Sequence, residues 1–223
     1  MRLIAHRGFR SVYPENTIRA IEAAAAVADG IEIDVRRCAS GELVVIHDET
    51  VDRVTDGHGA VADHTRADLG ALDVLESGEG VPMLAEALRA VPDHVGVNVE
   101  LKEPGTEADA LGCLSSEHPQ AIVSSFHRDV LADCRDIDPT VPRAYLTYDA
   151  GTDGVDAAID LDCEFFHPPA EGCTDRIVAG AHRAGMSVTA WTIDSATETE
   201  RLADIGVDGV IADRPDVLAE EAS

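Results

Sequence analysis

Between Ile31 and Asp48 the chain reads I-E-I-D-V-R-R-C-A-S-G-E-L-V-V-I-H-D: period-two alternation, a polar interruption, then an apolar run. Successive strand side chains point to opposite faces, so Glu32 and Asp34 share one face while Ile31, Ile33 and Val35 take the other. Ala39-Ser40-Gly41 supplies a turn in which Gly41 can take the positive φ of a tight reversal. The return strand, Leu43 to Ile46, ends at His47-Asp48. This segment predicts a β-hairpin that brings two carboxylates and a histidine to one place. E-x-D spacing alone also suits a solvated strand face.

Upstream, residues 2–8 read as a strand running into His6-Arg7-Gly8. A loop through Tyr13-Pro14-Glu15-Asn16-Thr17 follows, then a helix over 18–28 capped by Asn16 or Thr17. Asp29-Gly30 closes that helix. Residues 49–81 hold a turn cluster, Thr55-Asp56-Gly57-His58-Gly59, and only a thin apolar stripe, which predicts an insertion lying over one end of the scaffold. A helix starts at Val81-Pro82-Met83-Leu84. Strands are then expected at 95–101, 121–126, 143–147, 163–167, 187–192 and 207–212, separated by Ala-rich stretches of helical period. Repeated β then α implies parallel strands with helical crossovers. With the first strand and the outgoing hairpin arm, the strands number eight. The expected fold is an α/β, TIM-type (β/α)8 barrel over residues 1–223, with a small insertion after the second-strand hairpin at about 49–81. An open doubly wound sheet would need a Gly-rich first turn, which this sequence lacks.

Composition narrows the partners. With 43 acidic residues against 17 basic, the net charge is −26. Such a surface repels nucleic acid and acidic membranes. The acid is spread through helices and loops, a pattern that resembles proteins adapted to a cytoplasm of very high salt. The longest soft apolar run, residues 20–28, is too short to cross a bilayer, and the first residues already read as a strand. Five scattered cysteines without a C-x-x-C pair read as reduced packing residues. The expectation is a soluble cytoplasmic protein with no stable membrane anchor, its homo-oligomeric state left open. Sixteen arginines accompany a single lysine, Lys102, which marks that position as one needing an ammonium.

In a barrel, chemistry gathers at the C-terminal ends of strands. Those ends carry His6-Arg7, Glu32 and Asp34, Glu100-Leu101-Lys102, Ser124-Ser125-Phe126, His167, Trp191 and Asp213. Glu32, Asp34 and Glu100 form an all-oxygen set suited to a hard divalent cation, Mg²⁺ or Ca²⁺. The same carboxylates could instead pair with Arg7 and Lys102 without a metal, and periodicity weighs the two readings equally. A cation with Arg7 and Lys102 makes a positive pocket suited to phosphate inside a negative protein. His6 and His47 are candidates for general acid and base.

These residues resemble the glycerophosphodiester phosphodiesterase family. The matching motifs run in order: His6-Arg7-Gly8, Pro14-Glu15-Asn16-Thr17, Glu32-Ile33-Asp34-Val35, Val44-Val45-Ile46-His47-Asp48, Arg53 with Thr55-Asp56-Gly57-His58-Gly59, Val81-Pro82-Met83-Leu84, Glu100-Leu101-Lys102, Ser124-Ser125-Phe126, Ala190-Trp191-Thr192 and Gly206-Val207-Asp208-Gly209-Val210. The resemblance implies His6 and His47 as the catalytic pair and Glu32, Asp34 and Glu100 as ligands of the divalent metal. It implies Arg7 and Lys102 on the phosphate of a small glycerophosphodiester, with Trp191 walling the cleft. Phe126 and His167 join the expected substrate contacts, although packing suits His167 equally. The implied reaction yields glycerol 3-phosphate and an alcohol, within lipid and glycerol metabolism. The family's T-x-D-G turn is Cys38-Ala39-Ser40-Gly41 here, and W-T-V-N is Trp191-Thr192-Ile193-Asp194, which leaves the preferred alcohol open. Rival readings are a phospholipid or lysophospholipid head-group phosphodiesterase, a non-catalytic barrel binding a phosphorylated metabolite, and a lyase or isomerase using Lys102 as a Schiff-base amine. The acidic insertion disfavours the first, the two histidines the second, and the carboxylates beside Lys102 the third.

Salt dependence tests the reading of the charge. Screening shortens from about 10 Å at 0.1 M to about 3 Å at 1 M salt. The melting temperature is expected to rise steadily with KCl over that range in scanning fluorimetry; a flat profile would count against high-salt adaptation.

Overall fold

A computed structural model describes residues 1–218. Nine strands form one sheet: β1 (Arg2–His6), β2 (Gly30–Arg37), β3 (Leu43–Val45), β4 (Gly96–Leu101), β5 (Ile122–Ser125), β6 (Arg143–Leu146), β7 (Phe165–His167), β8 (Ser187–Ile193) and β9 (Gly209–Ala212). Eight run parallel and close on themselves, because β1 pairs with both β9 and β2. The ninth, β3, is the return arm of the hairpin and pairs antiparallel with β2, Val35 opposite Val45. The architecture is the TIM-type barrel that the β-then-α alternation predicts.

Helices α1 (Ile18–Ala25), α2 (Arg66–Ala71), α3 (Leu84–Ala90), α4 (Glu107–Glu117), α5 (Arg128–Ile137), α6 (Thr152–Asp160), α7 (Asp175–Arg183) and α8 (Ala196–Asp204) follow in chain order. All lie in connections between parallel strands, α2 and α3 sharing the one from β2 to β4. The outward face of β2, Ile31, Ile33 and Val35, joins Ile21, Leu84 and Leu88 in the main core. Helix α1 opens on Thr17, whose hydroxyl accepts from the Ala20 amide at 3.2 Å. It ends three residues before the predicted boundary. Asp29 is needed to fasten the first strand, taking the Leu3 amide on its carboxylate at 2.7 Å and giving its own amide to the Leu3 carbonyl at 2.9 Å.

The segment after β3 packs around its own cluster, in which Val51, Val54, Val61, Leu69 and Val74 meet Val44 and Ile46 of the hairpin. Its one α-helix, α2, starts with a reciprocal capping box between Thr65 and Asp68. The thin apolar stripe of the sequence therefore suffices, because hairpin residues complete the cluster.

The barrel interior is unusually polar. A TIM barrel is ordinarily filled by layers of Val, Ile and Leu, whereas here Glu32, Asn98, His167 and Thr189 are buried. Asn98, His167 and Thr189 line a lower cavity of about 280 Å³, with Ile4, Ile122, Phe165 and Ile211 among its walls.

Gly8 and Gly41 separate crowding from backbone conformation. Both have positive φ, +75° and +99°, but a Cβ on Gly8 would lie 2.9 Å from the Ala20 backbone carbon, whereas none within 4 Å meets one on Gly41. Gly8→Ala is expected to lose about 2–3 kcal/mol of stability and Gly41→Ala about 1 kcal/mol, read from urea unfolding. Equal losses would refute the steric account.

Candidate active site

Strand register assembles the site. His6 lies beside Glu32 across β1 and β2, and Asp34 beside Glu100 across β2 and β4. Inward-facing oxygens of Glu32, Asp34 and Glu100 consequently lie within 4.8 Å of one another, all three residues buried. Two cations hold the cluster. Arg7 Nε faces Asp34 Oδ2 at 3.1 Å, and Lys102 Nζ reaches Glu100 Oε1 at 2.5 Å and Asp34 Oδ1 at 3.4 Å. The Arg7 amide donates to Glu32 Oε2 at 3.1 Å and Asn16 Nδ2 to Asp34 Oδ2 at 2.9 Å. Arg7 makes this approach with φ at 51°, a left-handed conformation that its neighbours must impose.

Burial disfavours ionisation of all three carboxylates and leaves the nearby cations to separate them in acidity. It raises Glu32 well above the usual range, reinforced by the charges of Asp34 and Glu100. Burial and then Asp34 push Glu100 up to about 7. Asp34 is also penalised by burial, but Arg7 and Lys102 outweigh that and hold it below the ordinary range. Glu32 Oε1 is buried without a hydrogen-bond partner. An oxygen set with an unsatisfied buried member and more acid than base fits a hard divalent cation.

Each histidine is held by a carboxylate at Nδ1. His6 Nδ1 lies 2.6 Å from Asp213 Oδ1, which also accepts from Arg10 Nε at 2.8 Å. His47 Nδ1 lies 2.6 Å from Asp48 Oδ1. Ionised carboxylates only accept, so each ring keeps a proton on Nδ1, leaving Nε2 as the atom that can take up or give one. Burial lowers both pKa values, opposed chiefly by Asp213 at His6 and by Asp34 at His47. Both rings line one cavity of about 580 Å³ together with Arg7, Glu32, Glu100, Lys102, Phe126 and Trp191.

His167 is not among them. It lines the lower cavity, buried on all sides with Nδ1 unpartnered, and burial lowers its pKa to about 3. Although His167 ends its strand, the strands of a barrel are staggered. Its register neighbour Leu146 lines the upper cavity while its own side chain stays one layer below. Sequence reasoning also missed Tyr148, an exposed ring stacked on Phe126 at 4.7 Å and edge-on to Trp191 at 5.5 Å. It lies beyond a strand end with no motif to mark it. The partners of the cations and histidines, Glu15, Asp48 and Asp213, all stand in or beside quoted motifs, but their pairings span up to 207 residues.

A profile of the Glycerophosphoryl diester phosphodiesterase family matches residues 6–217. The chain belongs to this family. A glycerophosphodiester phosphodiesterase of Caldanaerobacter subterraneus subsp. tengcongensis is 35% identical, the match covering 97% of this chain and 95% of the relative. A Bacillus altitudinis glycerophosphodiester phosphodiesterase is 33% identical over 96% and 95%. Among solved structures, an Oleispira antarctica phosphodiesterase in complex with the product sn-glycerol-3-phosphate superposes with a TM-score of 0.90 at 29% identity, covering 96% of this chain and 94% of that one. With near-complete coverage by phosphodiesterase relatives, this member of the glycerophosphoryl diester phosphodiesterase family is a phosphoric diester hydrolase. No helix among its described residues is long and apolar enough to cross a membrane.

The raised carboxylates carry a pH signature. A carboxyl whose folded pKa exceeds its unfolded value, about 4.3 for Glu, stabilises the fold below that value and loses this contribution as pH rises through the folded pKa. The Glu100 contribution is therefore lost on the way to about 7. In EDTA and about 1 M KCl, the melting temperature is expected to fall between about pH 5 and 8. Glu100→Gln should flatten the fall; an unchanged slope in that variant would show that Glu100 does not carry it.

Proposed function

We propose that the chain hydrolyses glycerophosphodiesters to glycerol 3-phosphate and an alcohol, with His6 and His47 as acid and base and a divalent cation held by Glu32, Asp34 and Glu100. The observation that carries this reading is the convergence on one cavity of two carboxylate-held imidazoles, two cations and the carboxylates of Glu32 and Glu100, with Asp34 buried beside them. The relative crystallised with sn-glycerol-3-phosphate supports the choice of product.

One imidazole, free at Nε2, takes the proton of a glycerol hydroxyl as that oxygen attacks phosphorus. A cyclic phosphate forms, and the departing alkoxide receives its proton from Nε2 of the other ring, which enters this step as the imidazolium, protonated at both nitrogens. Water then opens the ring with the roles reversed, leaving glycerol 3-phosphate. Arg7 and Lys102 hold the non-bridging oxygens as charge builds on them. Mg²⁺ or Ca²⁺, when bound, would supply Lewis-acid stabilisation of that charge. Phe126 and Trp191, with ring centroids 5.4 Å apart, wall the cavity and limit water around the reacting group. Asp213 and Asp48 hold each ring by its Nδ1 proton, so that Nε2 is the atom that exchanges protons with the substrate.

Glycerol 3-phosphate release from glycerophosphocholine and glycerophosphoethanolamine is expected with Mg²⁺ or Ca²⁺ in high-salt buffer and not in EDTA. His6→Ala and His47→Ala, shown to be folded by circular dichroism, should each lose activity by on the order of 10²–10⁴-fold. Tight binding of glycerol phosphate without turnover under either metal would replace the enzyme reading with a binding one.

A further inference from the structure

Arg53 belongs to the segment outside the barrel, yet its guanidinium bridges two carboxylates that each hold a residue of the site. Toward one side, Nε donates to Asp48 Oδ2 at 2.6 Å and Nη2 to Asp48 Oδ1 at 3.1 Å. Asp48 Oδ1 is the atom that accepts from His47 Nδ1. Toward the other side, Nη1 and Nη2 donate to the two oxygens of Glu15, each at 2.8 Å. Glu15 Oε1 also accepts from Arg7 Nη1 at 2.9 Å, and Arg7 Nε faces Asp34. A continuous chain of charged contacts thus runs from His47 through Asp48, Arg53, Glu15 and Arg7 to Asp34.

We propose that Arg53 is a positioning residue that couples the two halves of the site, fixing His47 through Asp48 and Arg7 through Glu15. The inference rests on the phosphodiesterase reading above.

The chemistry requires arginine at this place. A planar fork can serve two carboxylates at once in fixed directions, which a lysine ammonium cannot. Asp48 is about a quarter exposed, so without Arg53 its carboxylate is free to turn to water and release the His47 ring. Glu15 is buried between the two arginines. Sharing its charge with Arg53 leaves Arg7 less neutralised and better able to draw a phosphate oxygen. The position of Arg53 is set from beneath, because Val51 and Val54 on either side of it are both buried in the separate cluster of this segment. Arg53 is also the foremost influence holding Asp48 ionised, at about 2.

The test is a set of double-variant cycles on glycerophosphocholine turnover with Mg²⁺, joined to nitrogen NMR of His47. Arg53→Met is expected to lower kcat by on the order of 10²-fold and to raise KM severalfold, with Arg53→Lys recovering only part of either. Because Arg53 acts on His47 through Asp48, the Arg53→Met and Asp48→Asn losses in kcat should combine to less than their product, the remainder being the branch through Glu15 to Arg7. Asp213→Asn, which loosens His6 from the opposite side, should multiply with Arg53→Met. His47 should show a proton on Nδ1 in the parent chain and a mixed tautomer in both Arg53 variants. If Arg53→Met does not fold, Arg53→Lys carries the same cycles. Activity within about twofold of the parent, multiplying losses with Asp48→Asn, or an unchanged His47 tautomer would each overturn the proposal. A parent chain that hydrolyses no diester would instead sink the phosphodiesterase reading, and the tautomer measurement would still decide the role of Arg53.

Discussion

Three carboxylates packed inside one barrel are the electrostatic constraint around which the site of this protein is built. Charge in a low-dielectric interior is tolerated only with partners, and like charges raise the penalty further. Glu32, Asp34 and Glu100 are supplied with Arg7, Lys102 and Asn16, yet Glu32 keeps an oxygen without a hydrogen-bond partner. The cluster holds more acid than its cations neutralise, which is the electrostatic condition under which a divalent ion binds well. An interior devoted to such a cluster cannot also be filled with branched aliphatic residues. The main apolar cluster joins outward-facing strand residues such as Ile31, Ile33 and Val35 to helix residues such as Ile21, Leu84 and Leu88.

The same balance explains the distribution of charge on a larger scale. At −26 the molecule as a whole repels a phosphodiester, so attraction has to be local and close. Arg7 and Lys102 provide it from inside the cavity, where water screens less than at the surface. The only lysine of the chain stands there, touching both Asp34 and Glu100. Arginine serves elsewhere, in exposed ion pairs such as Arg89 with Glu117 and Arg214 with Asp216, each of small energetic consequence alone.

The segment following β3 is more than a cover. Its own apolar cluster includes Val44 and Ile46 of the hairpin, so packing there fixes the strand that delivers His47. From the same segment Arg53 reaches both Asp48 and Glu15. Barrel and segment thus meet in ion pairs that hold His47 through Asp48 and Arg7 through Glu15, and the local geometry of each depends on the other.

The sequence by itself determined the strand count, the parallel order, the hairpin and the grouping of Glu32, Asp34, Glu100, His6, Arg7 and Lys102. Each of those follows from a short-range period of two or from β and α alternating along the chain, and side-chain alternation needs no knowledge of distant residues. Tertiary structure alone decided the level at which each strand end sits. His167 reads as a strand end like Trp191, but the stagger of a closed barrel sets it one layer lower, in a separate cavity. It also decided the partners. Asp213 meets His6 across 207 residues and Arg53 meets Glu15 across 38, contacts that arise only when closure of the sheet brings the first and last strands together and the folded segment settles over the barrel's end.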